Sequence, residues 1–161
     1  FKIRAGCNVI ENIPFDNLQK GLITASAGNF GQGLAQAANS RNISLKVLVP
    51  NTSSKTKIQA LKLLGAEVKM VNFDAWWNIM STRHTEFDGL FVHPVSELSV
   101  IIGNGTIALE LIEQLGNIDN IIVPVGGGGL ISGIALAAKA AGYNGKIIGC
   151  EIETSTPSFG K

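Results

Sequence analysis

Three parts of this sequence carry residue types that can do chemistry. Gly126-Gly127-Gly128-Gly129 is an unbroken run of glycines between an apolar strand-like segment and an apolar helix-like segment. In such a bend the backbone N–H groups and the dipole of the next helix converge on one point, which suits a phosphate group. Ser26-Ala27-Gly28-Asn29 stands between a strand-like and a helix-like segment earlier in the chain. Lys2 supplies an amine that can condense with a carbonyl group.

A phosphate-binding bend together with a Schiff-base lysine indicates pyridoxal 5'-phosphate as the cofactor. Each feature alone has a simpler explanation. The tetraglycine loop (residues 126–129) could be a tight turn in which glycine only permits close packing. Ser26 or Asn29 could merely cap a helix, and Lys2 could be a solvated surface lysine. These alternatives stay open at the level of single motifs.

A dinucleotide-binding loop is the main functional alternative, and it requires the spacing G-x-G-x-x-G. When this pattern starts at Gly126 or Gly127, its last glycine position falls on Ile131 or Ser132. Glu151 does end the next strand-like segment, as an acid that binds a ribose would. A non-catalytic nucleotide-binding module therefore remains an alternative.

The composition indicates a small-molecule partner. The chain has 161 residues, of which 45% are hydrophobic and 16% are charged, and its net charge is +1. This balance creates no field that attracts nucleic acid or an acidic membrane, and no apolar run reaches the roughly 20 residues that span a bilayer. We expect neither partner. We expect a cytoplasmic location, with organellar targeting left open because the chain begins at Phe1 without a methionine.

Strand-length apolar runs alternate with segments of helical period, which predicts an α/β fold of parallel sheets with helices on both faces. The predicted strands cover residues 22–25, 45–49, 67–71, 90–92, 121–125 and 146–150. The predicted helices cover residues 31–40, 55–64, 74–82, 105–115 and 130–141. Asp74 and either Ser53 or Ser54 are predicted N-caps.

The pattern loosens between Pro94 and Gly105. We interpret this stretch as a lobe boundary. Residues 1–98 would then form most of a smaller lobe on the substrate side, and residues 99–161 would form part of a larger, cofactor-binding lobe.

Five separated motifs, taken in order, resemble those of the threonine/serine dehydratases. These are fold type II pyridoxal-phosphate enzymes, with a tryptophan synthase β-like architecture, and are related to serine racemase. The resemblance covers essentially all 161 residues. The motifs are Phe1-Lys2-Ile3-Arg4, Thr24-Ala25-Ser26-Ala27-Gly28-Asn29, His93-Pro94, Gly103-Asn104-Gly105-Thr106-Ile107-Ala108-Leu109-Glu110 and Pro124-Val125-Gly126-Gly127-Gly128-Gly129-Leu130.

The resemblance implies a lyase that converts L-threonine or L-serine into a 2-oxo acid and ammonia. Lys2 matches the catalytic lysine that binds the cofactor as a Schiff base, with Phe1 beside the cofactor ring. Asn29 matches the residue that hydrogen-bonds the pyridoxal 3-hydroxyl. The loop that holds the phosphate consists of Gly126, Gly127, Gly128, Gly129 and Leu130. The substrate carboxylate would bind at Ser26, Ala27, Gly28 and Asn29.

Several positions depart from the family pattern. Serine racemases have a serine at the position of Ala27, where it acts as a second acid or base, so we expect elimination rather than racemisation. A racemase or a β-replacement enzyme remains the alternative. Phe30 stands where the family commonly has histidine, and Asn104 where it usually has glutamine. The preference between serine and threonine stays open.

Some members of the family bind a divalent cation through an acid at the position of Glu151. The partner acid is missing here and Pro157 takes its place, so we expect no metal site. The resemblance also implies a homo-oligomer. Relative to the family the chain is truncated at both ends, and we expect the isolated 161 residues to have little or no activity.

Overall fold

In residues 1–152, which the computed structural model describes, six strands form two sheets with parallel pairing throughout. The strands are β1 (Leu22–Thr24), β2 (Leu45–Pro50), β3 (Glu67–Val71), β4 (Leu90–Phe91), β5 (Asn120–Pro124) and β6 (Lys146–Cys150). The first sheet has the order β3-β2-β1-β4, and the second pairs β5 with β6. The predicted α/β fold with parallel sheets is confirmed.

The helices connect successive strands and also precede β1. They are α1 (Ile3–Glu11), α2 (Phe15–Leu18), α3 (Asn29–Asn39), α4 (Lys55–Leu63), α5 (Phe73–Thr82), α6 (Leu98–Leu115) and α7 (Gly129–Ala140). The sequence did not predict α1 or α2. The buried residues of α1, which are Ala5, Gly6, Val9 and Ile10, recur at helical spacing, so its apolar period is a signal from which this helix could have been predicted.

Helices cover both faces of the first sheet. Leu22 and Val47 belong to a core that includes residues of α1 and α3, whereas Ile23 and Leu48 pack with Ile79 of α5. Successive side chains of a strand point to opposite faces, so these two cores lie on opposite sides of β1 and β2. The predicted burial of these strands on both faces is therefore confirmed.

The second sheet departs from that prediction. Ile121 and Val123 pack into a core with residues of α6 and α7, but Ile122 between them is 67% exposed. Within the described residues, α6 and α7 share one core with this sheet. The strand therefore alternates between buried and exposed positions.

Helix α6 begins at Leu98 rather than at Gly105, so the loosened stretch is largely helical. Its glycines obscured the helix because glycine is a poor helix former. By length and composition α6 is apolar enough to cross a membrane, with a mean hydropathy of 1.3. It packs against α1 and α7. The lobe boundary at residue 98 stays a prediction, and residues 153–161 of the second lobe lie outside the described residues.

The helix starts correct one predicted cap and confirm another. Ser54 caps α4 by accepting a hydrogen bond from the Lys57 backbone N–H, as predicted. In α5 the cap is Asn72, whose Oδ1 accepts from the Ala75 N–H at 2.7 Å. Asp74 instead lies in the first turn, where its charge favours the helix dipole.

Glycines bring the backbones of four helices into contact. A Cβ at Gly33 of α3 would lie 2.5 Å from the Lys2 carbonyl carbon, and one at Gly6 of α1 would lie 2.7 Å from the Gly33 oxygen. A Cβ at Gly103 of α6 would lie 2.6 Å from Ala5 Cα, and one at Gly105 would lie 2.8 Å from the Gly133 oxygen. Ordinary side chains at these positions would force the helices apart, so the glycines fix Lys2 beside α3 and α6.

We expect Gly103→Ala to destabilise the full-length protein. Helix propensity alone would favour alanine by about 1 kcal/mol, but the added methyl meets the α1 backbone. A net loss of about 1–3 kcal/mol follows from overpacking. Urea unfolding midpoints measure the change.

Gly126→Ala is the matched control, because a Cβ there meets no atom within 4 Å. Its stability, measured for both variants without bound cofactor, should change by less than about 1 kcal/mol. Equal midpoints for both variants would contradict the close contact between α1 and α6.

Candidate active site

A cavity of about 740 Å³ lies beyond the carboxyl ends of β1, β4 and β5. Ligands of parallel α/β folds bind at this edge of a sheet, and the volume is in the usual range for small-molecule sites. The lining comes from the start of the chain, the segment after β1, helix α5, the segment after β4 and the segment after β5. The lining residues are Phe1, Lys2, Ala25, Ser26, Ala27, Gly28, Asn29, Phe30, Trp76, Trp77, Met80, Ser81, His93, Pro94, Val95, Pro124, Gly126, Gly127, Gly128, Gly129 and Leu130.

Lys2 is half-buried and stands immediately before α1. Its Nζ donates a hydrogen bond to Asn104 Oδ1 at 3.1 Å and lies 5.5 Å from the centroid of the Phe1 ring. Burial lowers the pKa of the Lys2 amine, because desolvation disfavours the charged form. An amine with a lowered pKa is more often neutral and can act as a nucleophile or a base.

Asn104 is completely buried in α6 and links Lys2 to the tetraglycine loop. Its Nδ2 donates to the Gly129 carbonyl oxygen at 3.1 Å, while its Oδ1 accepts from Lys2. The sequence identified Asn104 as part of a motif but not as a contact of Lys2. The available signal was a polar residue between Gly103 and Gly105 in a mostly apolar helix.

The segment that follows β1 presents free backbone donors to the cavity. Helix α3 begins after Gly28, and no side chain of the described residues caps it. The alternative that Ser26 or Asn29 merely caps this helix is therefore wrong. Gly31 allows the chain to turn tightly here, because a Cβ at that position would overlap the Ser26 carbonyl oxygen.

The tetraglycine loop is only partly explained by packing. A Cβ at Gly127 or Gly129 would lie 2.6 Å from atoms of Val95, and Gly128 has a φ of 85°, in the left-handed region. Gly126 has neither constraint, since its φ is not positive and a Cβ would meet no atom within 4 Å. A tight turn alone therefore does not explain Gly126, which lines the open cavity.

This loop fits an anionic group such as phosphate. Helix α7 begins after Gly128, and no side chain of the described residues caps it. Unpaired N–H groups at a helix start, in a bend without side chains, form an anion-binding concavity. The chain thus turns two uncapped helix starts, those of α3 and α7, toward the same cavity as the Lys2 amine.

His93 holds in place the segment after β4, against which the tetraglycine loop packs. Its Nδ1 accepts hydrogen bonds from the backbone N–H groups of Val95 and Ser96, and its Nε2 lies 3.1 Å from the Met80 carbonyl oxygen. These partners require the neutral tautomer with the proton on Nε2. Burial also lowers the pKa of His93. The ring therefore fixes Val95, against which Gly127 and Gly129 pack.

Helix α5 gives the cavity an aromatic wall that the sequence did not predict. Trp76 and Trp77 line the cavity with Met80, and the Trp76 ring lies 5.9 Å from that of Phe73. The indole Nε1 of Trp76 is buried without a hydrogen-bond partner among the described residues. The signal was an adjacent pair of tryptophans in a chain that contains no others.

The structure brings the predicted cofactor and substrate residues together around one cavity. Their individual roles stay predictions. Glu151 does not line the cavity, and both of its carboxylate oxygens are buried without a partner within residues 1–152. In that range no cluster of three metal-ligating side chains occurs. Pro157 lies outside the described residues.

Comparison with known proteins gives the family. The family model described as pyridoxal-phosphate dependent enzyme matches residues 1–161. An L-threonine ammonia-lyase of Geobacter sulfurreducens is 41% identical over 153 residues, which cover 94% of this chain and 38% of that protein. A catabolic L-threonine dehydratase of Staphylococcus aureus is 40% identical over 155 residues, covering 95% of this chain and 45% of that protein. The chain therefore spans less than half the length of these relatives.

A solved structure of serine racemase from Dictyostelium discoideum has a TM-score of 0.85 and 36% sequence identity. It covers 98% of this chain, which spans 52% of that chain. The predicted fold type II architecture is confirmed, and so is pyridoxal phosphate as the cofactor of the family. The tetraglycine loop and the Lys2 amine fit the phosphate and the aldehyde of that cofactor. The chain belongs to the family of pyridoxal-phosphate dependent enzymes.

Proposed function

We propose that the protein containing this chain is a threonine or serine dehydratase, which converts its substrate into a 2-oxo acid and ammonia. The observation that carries the proposal is the hydrogen-bonded path from the Lys2 amine through Asn104 to Gly129, along one cavity. The names of the relatives favour threonine as the substrate. A homo-oligomeric state, a cytoplasmic location and the lack of nucleic-acid and membrane partners remain predictions from the sequence.

The residue roles in this proposal are those that the family resemblance implies, and they are supported by the grouping of these residues around one cavity. Lys2 would bind the cofactor covalently, and Phe1 would lie beside its ring. The amides of the tetraglycine loop and Leu130 would hold the phosphate. Asn29 would bind the cofactor hydroxyl, and the uncapped start of α3 would bind the substrate carboxylate.

The bound cofactor would withdraw electrons from the substrate Cα, which makes its proton removable. Lys2 would accept this proton, and a neutral amine is required for that step. The lowered pKa of Lys2 increases the neutral fraction at a given pH. The substrate loses water between Cα and Cβ, and the released enamine adds water and frees ammonia. Anchoring the phosphate at the tetraglycine loop would fix the geometry at the reacting carbon.

Ala27 supports elimination over racemisation. It lines the cavity but carries no group that can donate a proton. His93 cannot easily replace such a donor, because both ring nitrogens already have hydrogen-bond partners. Racemisation needs a proton to be returned to the opposite face of Cα, and the methyl side chain of Ala27 cannot supply one.

The reaction products test this choice directly. With pyridoxal phosphate and L-threonine, the full-length protein should release 2-oxobutanoate and ammonia in equal amounts. With L-serine, D-serine should form roughly a hundredfold more slowly than pyruvate, because one proton donor is worth at least that factor. Chiral chromatography and a keto-acid assay give both rates. D-serine as the main product would favour the racemase alternative.

Lys2→Ala should remove the absorbance band of the lysine-bound cofactor and reduce turnover by at least about a hundredfold, since the base at Cα is lost. Lys139→Ala is the control, because this lysine is exposed in the last turn of α7. The control should keep both the band and the turnover. A band retained in Lys2→Ala would refute the role of this lysine.

Gly126→Ala tests the phosphate contact without disturbing the fold. Its methyl would project into the open cavity and keep the phosphate away from one backbone N–H group. The loss of that charge-assisted hydrogen bond should weaken pyridoxal phosphate binding about 10- to 100-fold. Fluorescence titration of the apoprotein measures the affinity. Pyridoxal, which lacks the phosphate, is the control ligand and should bind both proteins equally. An unchanged affinity for pyridoxal phosphate would place the phosphate elsewhere.

A further inference from the structure

The orientation of the Asn104 side chain is fixed by its two partners. The Gly129 carbonyl oxygen can only accept a hydrogen bond, so it must face the amide nitrogen of Asn104. The Asn104 oxygen must then face the Lys2 amine, which donates at 3.1 Å. If the amide were reversed, its oxygen would face the Gly129 carbonyl oxygen and its nitrogen would face the donating Lys2 amine. The polar atoms of the fully buried Asn104 side chain would then lack hydrogen bonds.

The backbone around Asn104 is equally constrained. Gly103 packs on the α1 backbone at Arg4 and Ala5, one turn from Lys2. Gly105 on the other side packs on Gly133 of α7, and a Cβ at Gly133 would lie 3.0 Å from Asn104 Cβ. Asn104 therefore stands at the point where α1, α6 and α7 meet. Its oxygen is held at a fixed distance from the tetraglycine loop.

The hydrogen-bond acceptor of the Lys2 amine is the uncharged side chain of Asn104, and the charged side chains of the surrounding helices pair elsewhere or lie farther along those helices. Arg4 pairs with Glu110 of α6, with nitrogen–oxygen distances of 2.6 Å and 3.0 Å. Helix α3 has no charged residue, α7 has Lys139 in its last turn, and α6 has Glu113 besides Glu110. In the described part of the chain, no carboxylate forms an ion pair with the Lys2 amine. His93, which borders the same cavity, is held in its neutral tautomer by its hydrogen bonds.

We propose that Asn104 is a positioning residue, which holds the Lys2 amine next to the tetraglycine loop through an uncharged acceptor. A carboxylate at this place would also hold the amine, but it would stabilise the ammonium form and oppose the release of the proton. An apolar side chain would leave the amine without an anchor. An amide anchors the Lys2 amine by a hydrogen bond and adds no charge that would stabilise its protonated form. The inference depends on the proposed function only because that function makes Lys2 the reacting amine.

The test measures the protonation of Lys2 in the full-length protein after removal of pyridoxal phosphate, so it does not depend on turnover. Trace acetylation with acetic anhydride over a range of pH, followed by mass spectrometry of the Lys2 peptide, gives the midpoint of the amine. In Asn104→Asp the midpoint should rise by about one to three pH units, as expected for an opposite charge in contact. In Asn104→Leu, which has no acceptor, it should fall, because the ammonium form loses a hydrogen bond.

Asn8 offers a matched control in the same helix interface. Its side chain is half-buried and donates to the Ser99 carbonyl oxygen of α6, roughly 9 Å along α1 from Lys2. Asn8→Asp and Asn8→Leu should leave the Lys2 midpoint within about 0.5 pH unit of the unmodified protein, since a charge there is roughly three times farther from the amine than the 3.1 Å contact of Asn104 and Coulomb energy falls with distance. Circular dichroism establishes that each variant is folded.

Opposite shifts in the two Asn104 variants, absent from the Asn8 variants, would support the proposal. Unchanged midpoints, or shifts of the same sign in both, would overturn it and leave Asn104 with a packing role. If Asn104→Asp does not fold, the fall in Asn104→Leu relative to Asn8→Leu decides the question alone. Opposite shifts in the Asn104 variants, together with a full-length protein that has no dehydratase activity, would retain the positioning role and reject the proposed reaction.

Discussion

The direct contact between the backbones of α1, α6 and α7 is the constraint on which the site depends. Gly103 lets α6 approach α1, and Gly105 and Gly133 let α6 approach α7. Larger side chains at these positions would push the helices apart, and Asn104 would lose the close approach that lets it bridge Lys2 and Gly129 with two 3.1 Å hydrogen bonds. Small residues in the helices thus set the position of the Lys2 amine at the cavity.

The two helices that open into the cavity, α3 and α7, follow glycines rather than capping side chains. Helices α4 and α5 begin with side-chain caps at Ser54 and Asn72, which satisfy their first amides internally. Helices α3 and α7 begin after Gly28 and Gly128, no side chain of residues 1–152 caps them, and both open into the cavity. Capping residues stabilise a helix, whereas an uncapped start keeps its N–H groups for a ligand. Helices α2 and α6 also start without a side-chain cap among the described residues, so the feature that distinguishes α3 and α7 is their opening into the cavity.

The sequence predicted the strands and the glycine bends, because strand-length apolar runs and glycine runs are local signals. The grouping of Lys2 with the glycine-rich segments came from the resemblance to the threonine/serine dehydratases. The sequence reading missed α1, although the buried residues of this helix follow a helical period. It also missed the first two turns of α6, because glycines such as Gly103 are poor helix formers even where they improve packing between helices. The contact between Lys2 and Asn104 joins residues 102 positions apart. The aromatic wall of α5 also depends on how the chain folds back. Such contacts follow from tertiary packing and not from local periodicity.

The account depends on one covalent linkage, and reduction with borohydride followed by peptide mapping of the full-length protein tests it most directly. Borohydride converts a Schiff base into a stable amine, so the cofactor stays on its lysine through proteolysis. We predict that the pyridoxyl group is found on the peptide that contains Lys2. Its recovery on a lysine outside the cavity, such as Lys46 or Lys139, would contradict the assignment of this site.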